Sequence, residues 1–204
     1  MSRIGDVLVL SEAIASQIER EGVAAYPNEC CGILVGRDVA GERIVDKLIP
    51  MKNVFDAGEQ YHRFSIDPLA LAAADEDASK EGRVVLGFYH SHPDHPARPS
   101  EYDRTHVPPW NFYSHVIVAI ANAKPVNMTC WRMDEESEQF EAEEIERGNR
   151  GADSVVEVNE RQLAPITADG RESMFPHHLD HFRRARIRGA VKEPIAKDDS
   201  LDAV

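Results

Sequence analysis

The fourteen residues His90-Ser91-His92-Pro93-Asp94-His95-Pro96-Ala97-Arg98-Pro99-Ser100-Glu101-Tyr102-Asp103 constrain this chain more than any other stretch. They follow Val84 to Tyr89, an apolar and β-branched run that reads as a buried strand. Side chains two apart on a strand share a face, so His90 and His92 converge on one point as the strand ends. The prolines that follow bar an immediate helix. Ser100 then reads as the N-cap of a short helix carrying Asp103 on the same side. Two imidazoles and a carboxylate are a common protein share of a catalytic zinc site, with a fourth position left to water. Each half also has a plainer reading. A His-x-His at a strand end is often two polar residues, and Ser-x-x-Asp at a helix start is often a capping pair.

The rest of the composition sets the frame for that site. With 204 residues and 42% hydrophobic content the chain can bury a sizeable core. A mean hydropathy of -0.43 and no apolar run near the ~20 residues of a membrane helix lead to the expectation of a soluble, cytoplasmic protein without membrane association. The start, Met1 to Asp6, lacks a signal-peptide pattern. Cys30, Cys31 and Cys130 form neither a disulfide framework nor a Cys-x-x-Cys site and read as reduced, mostly buried thiols. A formal charge of -13, concentrated before residue 146, argues against nucleic acid as a partner.

Along the chain, Ile4 to Leu10 reads as a strand. Ser11 caps a helix running to about Ala25, and Cys30 to Gly36 is a buried strand closed by its glycine. A hairpin turn near Asp38 to Gly41 leads to a strand from Arg43 to Pro50. Asp67 and Pro68 open a helix that ends near Gly82. After Asp103, a Pro108-Pro109 break precedes strands at His115–Ile120, Asn127–Met133 and Gln139–Ile145. This order predicts an α/β fold with a mixed β-sheet flanked by helices, in a domain spanning residues 1–145. Residues 146–204 read as a partly disordered C-terminal extension, with a possible strand at Ser154–Val158 and a helix at His178–Arg188. His178 and His181 stand three apart on that helix, but no third ligand is spaced for a second metal.

Hydrolysis of an amide at a metal needs a base for the attacking water and a donor for the carbonyl oxygen that gains charge. Asp94 lies in a proline-rich loop, and Glu101 is a first-turn carboxylate that the helix dipole favours anyway. Glu29 stands at the mouth of the Cys31–Val35 strand, which could pair beside the motif strand. By spacing alone the turn-carboxylate reading is the stronger one.

Taken together, Glu29, His90-Ser91-His92-Pro93, Ser100 and Asp103 resemble the signature of the JAMM (MPN-plus) metallopeptidase family. That signature is an upstream Glu, then His-x-His, seven residues, Ser, two residues and Asp. Asn28 to Gly36 and Phe64 to Pro68 are also similar to the family's first sheet strand and the entry to its second helix. The resemblance covers about residues 4–145. It implies the MPN (cytidine-deaminase-like) fold and one Zn2+ per chain held by His90, His92 and Asp103. It further implies Glu29 as general base and Ser100 as the donor to the tetrahedral intermediate. Ser91 would point away from the metal, and Pro93 would fix the chain's exit.

The short span after Asp103 leaves little room for the insertions with which chain-cutting relatives hold two ubiquitins. The motif wording is closer to the bacterial branch that trims residues after the Gly-Gly end of ubiquitin-like sulfur-carrier proteins. Such a slender tail could lie extended along a sheet edge. A deubiquitinase-like isopeptidase is the alternative, and a non-catalytic MPN scaffold is disfavoured because every ligand is present. A related zinc deaminase lacks its His-x-Glu and Pro-Cys-x-x-Cys pattern here. Trp110, Phe112 and Tyr113 read as packing residues or a cleft wall, His95 as a cleft residue, and His106 as a neighbour of the ligands. His62 and His115 read as surface or core-edge residues.

Overall fold

The computed structural model describes residues 7–39, 42–106, 112–134, 137 and 139–148. They form β1 (Val7–Leu10), α1 (Glu12–Ala25), β2 (Cys31–Val39), β3 (Glu42–Met51), α2 (Pro68–Lys80), β4 (Val84–Pro93), α3 (Glu101–His106), β5 (Ser114–Ala121), β6 (Lys124–Met133) and β7 (Phe140–Arg147). Ile4, the Gly41 end of the expected hairpin turn, the Pro108-Pro109 break, Trp110, and the expected elements at 154–158 and 178–188 with His178 and His181 lie outside the described residues.

The helices begin where local chemistry starts them. Ser11 Oγ accepts the Ile14 N–H at 3.2 Å to cap α1. Asp67 Oδ1 accepts the Leu69 N–H at 2.9 Å to cap α2, whose first residue is Pro68. Past the end of α2, Gly82 takes a φ of +68°.

Gly36 does not close β2 as expected. The strand runs on to Val39, with a register shift at Val35/Gly36 against β3. A Cβ at Gly36 would stand 1.9 Å from the Ile44 carbonyl oxygen, so the glycine serves a close backbone approach and not a strand end.

The strands are ordered β1-β3-β2-β4-β5-β6-β7, and β1 pairs in parallel with both β3 and β7. The pairing is mixed, as expected: β4–β5 is also parallel, while β2–β3, β2–β4, β5–β6 and β6–β7 are antiparallel. The expectation of a sheet simply flanked by helices needs correction, because the sheet closes into a barrel. The four-residue β1 is bonded on both sides and joins Glu42–Ile44 of β3 to Glu144–Arg147 of β7. Stretches paired on one side only remain within the barrel, at Lys124–Thr129 of β6, beyond the reach of β7, and in β3 after Ile44, beyond the reach of β1.

Alternation along the strands sorts the core. Leu34, Tyr89, Val116, Val118 and Ile120 pack with Ile18 of α1, whereas Ile33, Val35 and Phe88 pack with Leu71, Ala74 and Ala78 of α2. His90 and His92 fall in register with Phe88. None of the described helices is long and apolar enough to cross a membrane.

Candidate active site

The two histidines are held inside a paired strand and not in the loop after it. β4 runs to Pro93, with His90 opposite Cys31 of β2 and Ile117 of β5, and His92 opposite Ala119. Both are nearly inaccessible, at 2% and 6% exposure. Their Nε2 atoms lie 3.0 Å apart, and each is 3.7 Å from one oxygen of Asp103. Among the described residues, His90, His92 and Asp103 form a group whose donor atoms all lie within 4.8 Å of one another.

His92 and Asp103 are oriented by local partners, and His90 by a ring from a distant segment. His92 Nδ1–H donates to the Pro96 carbonyl at 2.8 Å, which turns the Nε2 lone pair toward the other two groups. His90 Nδ1 is buried without a hydrogen-bond partner, and the Phe64 ring stacks on the imidazole with centroids 4.5 Å apart at 26°. Burial pushes the His90 pKa down against the pull of Asp103, which favours the neutral imidazole.

Asp103 sits in a reciprocal cap. The Ser100 N–H donates to Asp103 Oδ2 at 2.6 Å, and the Asp103 N–H donates to Ser100 Oγ at 3.1 Å. Burial raises the Asp103 pKa, but the imidazoles and the Ser100 bonds outweigh it and hold the carboxylate ionised. The capping pair and the ligand reading are therefore one geometry. Two imidazole nitrogens and one carboxylate, converging on one point, make a donor set that fits a metal ion.

Glu29 lies two residues before β2 and is 5% exposed. Burial, then the negative charge of Asp103, pushes its pKa up to about 9, so the two carboxyls share one electrostatic environment. A cation between the imidazoles and Asp103 would act in the opposite direction.

Several residues around the site carry no motif signal. Ser91 turns away from the ligands, as alternation requires, but its side chain has a task there. Its Oγ accepts the Cys30 N–H at 2.9 Å, while its own N–H donates to the Cys30 carbonyl at 3.1 Å, locking the residue after Glu29 to the ligand strand. Phe64, read from the sequence only as part of a helix entry, covers His90. Trp131 lines a cavity of about 470 Å³ behind the ligand loop with Pro96, Ala97, Arg98, Asn127, Thr129 and Ala142. Tyr113 is buried edge-on against Phe88, with Phe112 beside it, so these two are packing residues. His115 is 3% exposed and belongs to the interior, contrary to its expected place at the surface or core edge. His62 is half-buried and His95 exposed.

Fold and site together define a class: a small mixed β-barrel that presents a strand-borne His-x-His pair and a helix-borne aspartate as one metal-binding donor set. Residues 11–134 match the model of the prokaryotic homologs of the JAB domain, and the chain belongs to that family.

Solved relatives agree. A protein of Desulfitobacterium hafniense is 30% identical, with a TM-score of 0.60 over 70% of this chain and 93% of that one. A protein of Salinibacter ruber is 33% identical, with a TM-score of 0.54 over 70% and 92%. Among curated proteins, a probable TtuB-protein conjugate cleaving protease of Thermus thermophilus is 33% identical over 99 residues, 48% of this chain and 62% of that protein. A desampylase of Haloferax volcanii is 36% identical over 99 residues, 48% and 68% respectively. The tail tip assembly protein K of Escherichia phage N15 is 32% identical over 101 residues, 48% of this chain and 37% of that protein. The match thus spans between about a third and two thirds of these relatives' length.

Proposed function

We propose that this protein is a zinc-dependent metallopeptidase that hydrolyses the amide bond after the Gly-Gly end of a ubiquitin-like sulfur-carrier protein. The observation that carries the reading is the convergence of the His90, His92 and Asp103 donor atoms, with a buried Glu29 carboxyl that feels the Asp103 charge. Those three residues would hold one zinc ion per chain, which would supply Lewis-acid polarisation of the scissile carbonyl and a more acidic water.

The chain's own groups do the rest. Glu29, buried and fixed beside Asp103, accepts the proton from the attacking water and returns it to the leaving amine. Ser100 Oγ accepts its hydrogen bond from the Asp103 N–H, which leaves the hydroxyl hydrogen free to donate to the carbonyl oxygen as that atom gains charge. His92, tethered through Nδ1 to Pro96, keeps its lone pair in place through the cycle.

Glu29→Gln keeps zinc and lowers turnover by about 10²–10⁴-fold, whereas His92→Ala loses zinc and activity together. Near-normal cleavage by Glu29→Gln would remove the base assignment. The substrate is tested by incubating the zinc-loaded protein with a ubiquitin-like carrier extended past Gly-Gly and reading the product mass, expected to end at the second glycine. Two curated relatives are named for cleaving conjugates or for desampylation, which favours an isopeptidase as the second reading. Running a linear extension and a lysine-linked conjugate side by side separates the two.

A further inference from the structure

We infer that Asn53 is a positioning residue for this site, acting through the Glu29 backbone on one side and the Phe64 cover on the other. The inference rests on the reading of Glu29 as the proton carrier. It starts from the long segment between β3 and α2, which has no regular structure although both its neighbours in space are site residues. A segment of that kind needs side chains to satisfy its backbone groups.

Asn53 does so with every hydrogen-bonding group it has. Its Nδ2 donates to the Arg63 carbonyl at 2.9 Å and to the Glu29 carbonyl at 3.3 Å. Its Oδ1 accepts the Phe55 N–H at 3.0 Å and the Ser65 N–H at 3.2 Å. Two donors meet two carbonyls and two lone pairs meet two N–H groups, so the amide orientation is fixed by its partners.

The surrounding bonds close the same unit. Gln60 donates through Nε2 to the Asn53 and Phe55 carbonyls, and its own carbonyl accepts the Glu29 N–H at 2.7 Å. The Val54 N–H donates to the Ser65 carbonyl at 2.9 Å. Glu29 is therefore tied at its carbonyl to Asn53 and at its N–H to the loop that Asn53 folds. The same amide grips Arg63 and Ser65, the two residues that flank Phe64 where it stacks on His90. Asn53 touches neither the metal donors nor a reacting atom. It joins the proton carrier and the lid of the ligand pocket into one clip.

The chemistry makes the residue hard to replace. Aspartate has the same shape and keeps both acceptor bonds, but it loses both donors, and with them the tie to Glu29. Alanine loses all four bonds.

In the wild-type protein, amide hydrogen exchange is expected to show Glu29, Phe55 and Ser65 opening together with one common protection factor. Unrelated rates at these three amides overturn the clip without any variant being made. Asn53→Asp and Asn53→Ala are expected to keep one zinc per chain and to exchange the Glu29 amide at least ~10-fold faster. Cleavage of a ubiquitin-like conjugate should show kcat down by about 10–100-fold with KM within about threefold, the mark of a displaced proton carrier in an intact binding site. Loss of zinc, or an unchanged kcat with unchanged Glu29 exchange, overturns the inference. A wild-type protein that cleaves no conjugate sinks the proposed function alone, because zinc content and exchange still decide whether Asn53 clips Glu29.

Discussion

His115 lies on β5 between Phe88 and Phe140, with ring centroids 6.0 and 5.1 Å away, and burial pushes its pKa down to about 4. A histidine whose folded pKa lies below its unfolded value near 6.5 leaves folding unaffected above that value. It destabilises as pH falls toward 4, because the unfolded chain takes up the proton first. Wild type should therefore lose up to about 3 kcal/mol relative to His115→Phe between pH 7 and pH 4. Urea unfolding of both proteins across that range reads the difference directly, and parallel curves would contradict it. At this scale the grouping of His90, His92 and Asp103 was legible, since strand alternation joins the two histidines and the Ser100 cap fixes the aspartate. Ser91, Phe64 and Asn53 were not, because a serine, a phenylalanine and an asparagine acquire their tasks only from neighbours distant in sequence.

Strands and helices were mostly legible from apolar runs and caps. The exceptions are instructive. Gly36 is a frequent stop signal, yet β2 passes through it, because what the position must satisfy is the Ile44 carbonyl on a neighbouring strand. Gly87 makes the same point on the ligand strand itself. A Cβ there would stand 1.9 Å from the Ser114 carbonyl of β5. Gly87→Ala is expected to cost about 2–4 kcal/mol by forcing β4 and β5 apart, and to weaken metal retention at the candidate site, since His90 and His92 continue the same ladder. Denaturant titration and metal analysis after dialysis test both halves. A stable variant with full zinc would show that the strand pair gives way without cost.

A buried ion pair joins β3 to β7 where the barrel closes. The Arg43 guanidinium of β3 donates to Ser114 of β5, to the Leu86 carbonyl of β4 and to the Phe112 carbonyl, and lies 3.3 Å from Glu143 of β7. Glu143 in turn accepts from Ser114 and Cys130. Four strands thus meet through one cation at the end of β4 away from the ligands. Arg43→Met strands Glu143 and is expected to cost about 3–5 kcal/mol, while Arg43→Met with Glu143→Leu recovers most of that loss. A double-mutant cycle by chemical unfolding measures the coupling, and additive costs would show the pair to be incidental.

The sequence by itself determined the local facts. These are where helices start, which strand carries two imidazoles on one face, and which serine caps the turn that delivers a carboxylate, because each depends on residues a few positions apart. Tertiary structure decided that Cys31 pairs with His90, which sets the buried Glu29 where it feels the Asp103 charge, that β1 joins β3 to β7, and that an asparagine in an irregular loop bonds the Glu29 backbone. Those depend on register and on hydrogen bonds between distant segments, which no periodicity in one stretch encodes.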